Sequence, residues 1–318
     1  MSMANHSSVT PSSVTSSSRR EFLARSSTAA AGGAIAASFG AIHPVHAQGS
    51  DAVRVGLIGC GGRGSQAAIN AMKADPNNRL TVMCDLFPDR LNQSRQGIAK
   101  RLDQQYRVTD DTAFTGFDGY KRVMDSDVQV VLLCTTPHFR PQQLKAAIDA
   151  GKHVFCEKPV AVDAPGVRSV LKTCEEAKEK KLAVVSGLCW RYDVGVRETI
   201  KRIKEGAIGD IVAIQENYLT GTLWHRGTRE EHPEWSELEY QMRNWMYYTW
   251  LSGDHNVEQH IHSLDKALWL MDDKPPVAAY GMGGRQVRVE PKWGNIYDHH
   301  AVVYEWPSTR VFSFTRQM

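Results

Sequence analysis

Beyond residue 52 the chain alternates between short apolar runs and longer stretches of helical periodicity. The runs at 53–59, 79–85, 128–135, 152–159 and 182–188 are apolar at nearly consecutive positions, as in strands covered on both faces of a parallel sheet. Residues 64–74, 88–102, 140–151 and 164–181 separate them and carry helical spacing. This alternation predicts an α/β fold, an N-terminal Rossmann-like doubly wound parallel sheet. The pattern then changes. Residues 195–210 predict a connecting helix ending at Gly206, 211–221 alternate like a half-buried strand, and 298–316 predict two strands around a turn at 306–309. A second α/β domain on a largely antiparallel sheet is therefore expected. The expected domains are 48–190 and 191–318. The chain stops on its last strand, which leaves a sheet edge to be covered. Either the sheet is small or the chain is C-terminally incomplete.

Residues 253–271 carry Val257, Ile261, Leu264, Leu268 and Met271 at spacings of 4, 3, 4 and 3, which predicts one helix with one apolar face. At about 100° per residue, His255, Glu258, His262 and Asp265 share another face, with His260 turned away from His262. Such a face has three readings: a solvated polar surface, a structural Glu–His pair, or acid/base chemistry. A zinc reading through His255, Glu258 and His262 lacks the HExxH and HxxEH spacings, and no metal is expected.

The first 47 residues read as an address. A Ser/Thr-rich stretch at 7–18 precedes Arg19, Arg20, Phe22 and Leu23, then a Gly/Ala-rich apolar segment at 29–42 and a small-residue cleavage site after Ala47. This order matches a twin-arginine (Tat) signal peptide over 1–47, against a disordered tail with a chance arginine pair. The expectation is a bacterial protein exported by the Tat machinery to the periplasm or another extracytoplasmic site. The 318-residue chain has a formal charge of +3. Three leader arginines against one glutamate account for two of those charges, leaving +1 on the mature chain. That gives no electrostatic footprint for nucleic acid. No run of about 20 apolar residues follows residue 47, so no membrane span is expected. The six cysteines show no CxxC and read as small buried hydrophobes.

The first apolar run breaks into Gly59, Gly61, Gly62 and Gly64, and the next ends in Asp85, 21 residues after Gly64. GxGxxG leaving a strand and opening a helix, with an acid at this distance, is a dinucleotide fingerprint. The glycines admit a pyrophosphate, and the helix N-terminus supplies free N–H groups and a positive dipole end. Asp85 suits a ribose 2′-hydroxyl and repels a 2′-phosphate, favouring NAD over NADP. Arg63 is the residue that could soften that preference.

With this fingerprint, Cys156-Glu157-Lys158-Pro159 and Glu258-x-x-x-His262-x-x-Asp265 follow in order. Together they resemble the Gfo/Idh/MocA oxidoreductases over residues 52–318. The resemblance implies a C-terminal domain with a large open sheet and an NAD-dependent enzyme acting on a small carbohydrate. It implies Lys158 beside the nicotinamide, with Glu157 in the cofactor site. Pro159 would hold that chain extended. His262 would be the acid/base and Glu258, where Asp is frequent, a second ionisable group. Thr136, Pro137 and His138 would touch the cofactor. Arg191 and Tyr192, with His255 and Asp265, would meet substrate. The aromatic stretches 221–227 and 240–250 suit sugar stacking, core packing or an interface equally. A homo-oligomer through the C-terminal sheet is expected. Export argues for a cofactor that stays bound and is recycled. Two further readings stand beside the oxidoreductase: a redox-neutral NAD-dependent glycoside hydrolase or lyase, and a non-catalytic sugar-binding module.

Overall fold

The structure is a computed structural model that describes residues 52–317. The leader lies outside the described residues. The first sheet contains β1 (Arg54–Ile58), β2 (Arg79–Asp85), β3 (Ala113–Thr115), β4 (Val130–Leu133), β5 (His153–Cys156) and β6 (Val184–Ser186), in the order β3-β2-β1-β4-β5-β6. All its pairs are parallel. Order reverses between β1 and β4, which opens a crevice at the carboxyl ends of the strands.

Each central strand feeds two cores. Val55, Leu57, Leu80 and Met83 pack with Ala68, Ile69 and Met72 of α1 (Gly62–Ala74) and with Leu91 and Ile98 of α2 (Pro88–Leu102). Ile58, Val82 and Leu133 point the other way. They meet α3 (Gly119–Asp125), α4 (Arg140–Asp149) and α5 (Ala164–Glu179) through Val123, Leu144, Ile148 and Val170. Burial on both faces is why these strands read as unbroken apolar runs.

After α6 (Val194–Lys204), five residues shorter than the spacing predicts, comes a second sheet. It contains β7 (Ala213–Thr220), β8 (Ala278–Gly284), β9 (His299–Glu305) and β10 (Arg310–Gln317), in the order β7-β10-β9-β8. β7 and β10 are parallel and the other pairs antiparallel. The described residues thus form a mixed, mostly antiparallel sheet of four strands. Its inner positions on β10 are Val311, Ser313, Thr315 and Gln317, while Phe312 and Phe314 face outward and exposed.

The stretch 249–270 is three helices: α8 (Thr249–Ser252), α9 (Asp254–Glu258) and α10 (Ile261–Leu270). α7 (Glu237–Arg243) lies before them. Gly253 and Asp254 both take left-handed backbone, φ 76° and 68°. The His255 carbonyl then accepts N–H groups from both Gln259 and His260, each at 3.0 Å. This widened turn breaks the periodicity between α9 and α10, so the single helix with one shared polar face is not formed. The expected apolar stripe is only half-buried at Ile261, Leu264 and Leu268. The buried α10 positions are Ser263, Asp265 and Ala267.

Candidate active site

A cavity of about 1080 Å³ lies at the crevice and reaches into the second half of the chain. It exceeds the roughly 300–1,000 Å³ of a single small-molecule site. The glycine loop forms its floor, and the four glycines there have different reasons to exist. Gly59 takes φ +93°, and a Cβ on it would lie 2.5 Å from the Cys134 backbone. A Cβ on Gly64 would lie 1.8 Å from the Gly59 carbonyl oxygen. Both are demanded by the protein's own packing. Gly61 and Gly62 have nothing within 4 Å of such a Cβ and border the cavity. Their bareness serves only something that enters. α1 starts there with no side-chain cap and no acid in its first turn, leaving its N–H groups for an anion.

Asp85 ends β2 at the cavity, accepting the Cys60 N–H at 2.6 Å and the Phe87 N–H at 2.9 Å. Burial raises its pKa, an effect opposed by those two N–H groups and by Arg90. Arg63 does not face Asp85. It is bonded at 2.6 Å to Glu157, which is 3% exposed. The expectation that Arg63 tempers the NADP exclusion is therefore corrected. Arg90 lines the cavity near Asp85 instead. The Glu157 carboxylate also receives the Lys158 N–H at 3.1 Å, and a Cβ on Gly187 would press within 2.7 Å of it. These contacts make Glu157 an anchor for the loop that presents Lys158. The Lys158–Pro159 peptide is cis.

Lys158, Glu258 and His262 come together on one wall. The Lys158 ammonium donates to the Glu258 carboxylate at 2.8 Å and also to the Glu258 backbone carbonyl. No side-chain hydrogen bond ties His262 to any described residue, and its Nδ1 is buried and unpartnered. Burial, then the Lys158 charge, pushes its pKa below the ordinary histidine value, so the ring is neutral near pH 7. A neutral imidazole beside an ammonium can take a proton from a hydroxyl while the ammonium steadies the resulting oxyanion.

Of the remaining sequence-predicted residues, several do not reach the cavity. Thr136 lines it, but Pro137 is buried beneath, and His138 is exposed, packed edge-on against Phe139 and Trp250. Arg191 is clamped to Asp265 through bonds of 2.8 and 2.9 Å and to Asp273 at 2.7 Å. That ties the turn after β6 to α10, so Arg191 and Asp265 are structural. Tyr192 is exposed and outside the cavity lining. His255 is buried against Asp254 (Nδ1 to Oδ1, 3.0 Å) and beside the His300 ring. Burial opposes ionisation of Asp254, yet bonds from His255 and the Tyr297 N–H, with the His300 ring nitrogen 3.5 Å away, hold its pKa well below the usual carboxylate range. His255, Glu258 and His262 therefore share no metal geometry. Among the described residues the one cluster of potential ligands is Asp254, His255 and His300. It is a hydrogen-bonded network lacking partners on His255 Nε2 and His300 Nε2. Cys84 and Cys134 line the cavity as thiols, burial pushing both up to about 12. Cys189 is exposed there, not buried as expected.

Sequence reasoning missed Arg140. Buried in the cavity wall, it bonds the carbonyls of Thr135 and Pro159 at 2.5 Å each, joining the loops after β4 and β5. The signal was present, since an arginine opening a helix opposes the helix dipole and needs another reason. Trp224, Arg226, Arg243 and Trp245 also line the cavity from the second half.

A parallel 3-2-1-4-5-6 sheet with a glycine cradle and an acid at the end of β2 defines a dinucleotide-binding domain. The comparisons make this particular. Residues 53–186 match the family model described as "Oxidoreductase family, NAD-binding Rossmann fold" (GFO_IDH_MocA). Among curated relatives, the 2,7-anhydro-N-acetylneuraminate hydratase of Escherichia coli is 26% identical over 259 residues, covering 81% of this chain and 60% of that one. The inositol 2-dehydrogenase/D-chiro-inositol 3-dehydrogenase of Lactiplantibacillus plantarum is 28% identical over 220 residues, covering 69% and 53%. The chain thus spans between half and three fifths of these relatives' length. The fold is shared with the scyllo-inositol dehydrogenase of Lactobacillus casei, solved with bound NAD(H) and scyllo-inositol. There the TM-score is 0.62 at 19% identity, with 84% of this chain and 70% of that one covered.

Proposed function

We propose that this protein is an NAD-dependent oxidoreductase acting on a hydroxyl of a sugar, cyclic polyol or glycoside, with the cofactor retained. The observation that carries this reading is the meeting of Lys158, Glu258 and His262 in the same cavity as the bare glycines Gly61 and Gly62. Gly61, Gly62, the start of α1 and Asp85 would hold the dinucleotide, with Thr136 beside it. When bound, NAD supplies a hydride acceptor. The chain's own residues do the proton chemistry. Neutral His262 withdraws the hydroxyl proton. Lys158 turns from the Glu258 carbonyl to the substrate oxygen and lowers the cost of its negative charge. Glu258 aims the ammonium, while Glu157 and Arg140 fix the loop that carries it.

Glu258 also supports a second reading. It is a further ionisable group in the same wall, able to serve an elimination or hydrolysis next to a transiently oxidised carbon and so a redox-neutral glycoside hydrolase or lyase. Export through the twin-arginine leader belongs to the proposal, because a retained cofactor suits a protein that leaves the cytoplasm folded. A homo-oligomer would use the outer face of the second sheet, where Leu219, Tyr280, Met282, Phe312 and Phe314 are exposed. The test is turnover of a panel of inositols, aldoses and glycosides with NAD supplied. Net NADH indicates a dehydrogenase, and product without net NADH a redox-neutral cycle. Sugar binding unchanged in Lys158→Ala and His262→Ala, with no product from the wild type, would leave only a binding module.

A further inference from the structure

The Rossmann half makes only one side of the nucleotide cavity. The other side comes from residues 223–250, between β7 and α9. This segment has a core of its own, with Tyr240, Met242, Met246, Tyr247 and Tyr248 buried together with Leu251 and Ile296. Leu86 and Phe87, directly after β2, and Phe139, after β4, pack against that core. The segment is thus joined to the two loops that border the cofactor cavity.

Its attachment is specific. Arg243 makes a two-pronged bond to Asp89 in the first turn of α2, both N–O distances 3.0 Å. Its Nε is held by Glu239 at 2.9 Å, and its guanidinium lies 4.0 Å over the Phe87 ring. Bidentate pairing fixes direction as well as distance. The Arg243 side chain is only 12% exposed, so the latch is partly shielded from water and screened less than a surface pair.

Inside the latch lie two arginines without acidic partners. Arg226 and Arg90 both line the cavity, and neither forms a salt bridge with any described residue. Arg226 leans on Trp224, 4.6 Å from guanidinium to ring. They are close enough that Arg90, after burial, lowers the Arg226 pKa. Asp85 and Asp89 also face Arg90 without a salt bridge to it, and two like charges lining one cavity gain when an anion joins them both.

We propose that residues 223–250 form a strap that completes the dinucleotide site. Arg226 of the strap and Arg90 of α2 receive phosphate oxygens, and the Arg243–Asp89 latch keeps the nucleotide from leaving. This rests on the cofactor reading above and deepens it, since it assigns cofactor retention to named residues of the second half. The phosphate is either the pyrophosphate common to all dinucleotides or a 2′-phosphate, and the latter would oppose the preference set by Asp85.

The test is nucleotide release from the full chain. Wild type, Asp89→Ala, Arg243→Met and Arg226→Met are each loaded with NAD, passed through gel filtration, and chased with excess ADP-ribose while release is timed. Asp89 is 60% exposed at its side chain, so Asp89→Ala keeps the fold, and thermal melts of the apo forms check all variants. The strap predicts near-stoichiometric NAD after gel filtration of the wild type and release at least tenfold faster in both latch variants. Arg226→Met should bind NAD at least tenfold more weakly and with a shallower salt dependence. NADP tested alongside separates the two phosphates. Weakening confined to NADP assigns the arginines to a 2′-phosphate and overturns their part in NAD retention. Release at the wild-type rate from Asp89→Ala and Arg243→Met overturns the strap while leaving the cofactor reading intact. No NAD binding by any form overturns both.

Discussion

The two walls of the cavity are built by different means. The Rossmann wall is mostly backbone: bare glycines, an uncapped helix start, and carbonyls gathered by Arg140. The wall from the second half is side chains, with aromatic rings and arginines at one end and Glu258 and His262 at the other. A backbone wall reads what dinucleotides share, their phosphates, while Asp85 on the same wall sets the preference for NAD. A side-chain wall can be re-specified residue by residue, which is where substrate choice and retention should reside.

The comparison breaks most visibly at the chemistry. Lys158→Ala and His262→Ala should each lower turnover by about 10²–10⁴-fold with nucleotide affinity nearly unchanged, as read by titration of the apo protein. If either abolishes NAD binding instead, the two walls are not separable. The glycines sharpen the contrast next. Gly64→Ala drives a Cβ to 1.8 Å from the Gly59 oxygen and should cost about 3 kcal/mol or more. Gly62→Ala sits in open space at the first position of a helix and should hold or raise stability by up to about 1 kcal/mol. It should still weaken NAD at least tenfold. A Gly62→Ala protein with normal NAD affinity would make the loop a plain turn.

A third effect belongs to the second half alone. Burial holds the fully buried His260, bonded to Ser313 at 2.7 Å, at about 4, below the ordinary 6.5. The unfolded chain therefore binds this proton first. Stability contributed by neutral His260 is intact above pH 6.5, falls as pH drops through that value, and is fully lost below about pH 4. The loss is worth about 3 kcal/mol. Urea titrations between pH 7 and 4 should show it, and His260→Gln should flatten the profile. The smallest effect is expected from Arg191→Ala. Removing the clamp on Asp265 should cost about 1–3 kcal/mol and leave NAD affinity untouched. A specific loss of sugar binding there would restore Arg191 as a substrate residue.

The same contrast governs what the sequence revealed. β1, β2 and β4 are buried on both faces, so their apolar runs are unmistakable, and the glycine loop and Asp85 follow from them. β3, with three residues, and β8, nearly all exposed and containing three glycines, carry no period to detect. Glu258 and His262 line the cavity, but not through a shared helix face. The widened turn at Gln259–His260 is set by buried tertiary contacts that no local spacing encodes. It turns His255 toward Asp254 and His300 and leaves Asp265 to Arg191. Arg90, Arg226 and the Arg243–Asp89 pair were invisible because their meaning arises only when segments 154 residues apart meet.

One measurement tests the central claim most directly. The protein is loaded with NAD, freed of excess nucleotide, and mixed in a single turnover with inositols, aldoses and glycosides while nicotinamide absorbance is followed. The account predicts a burst of reduced nicotinamide with at least one of these compounds. The burst should be absent from Lys158→Ala and His262→Ala, though both carry as much NAD as the wild type. A burst of equal size and rate in those variants, or a wild-type protein that cannot be loaded with NAD, would contradict it.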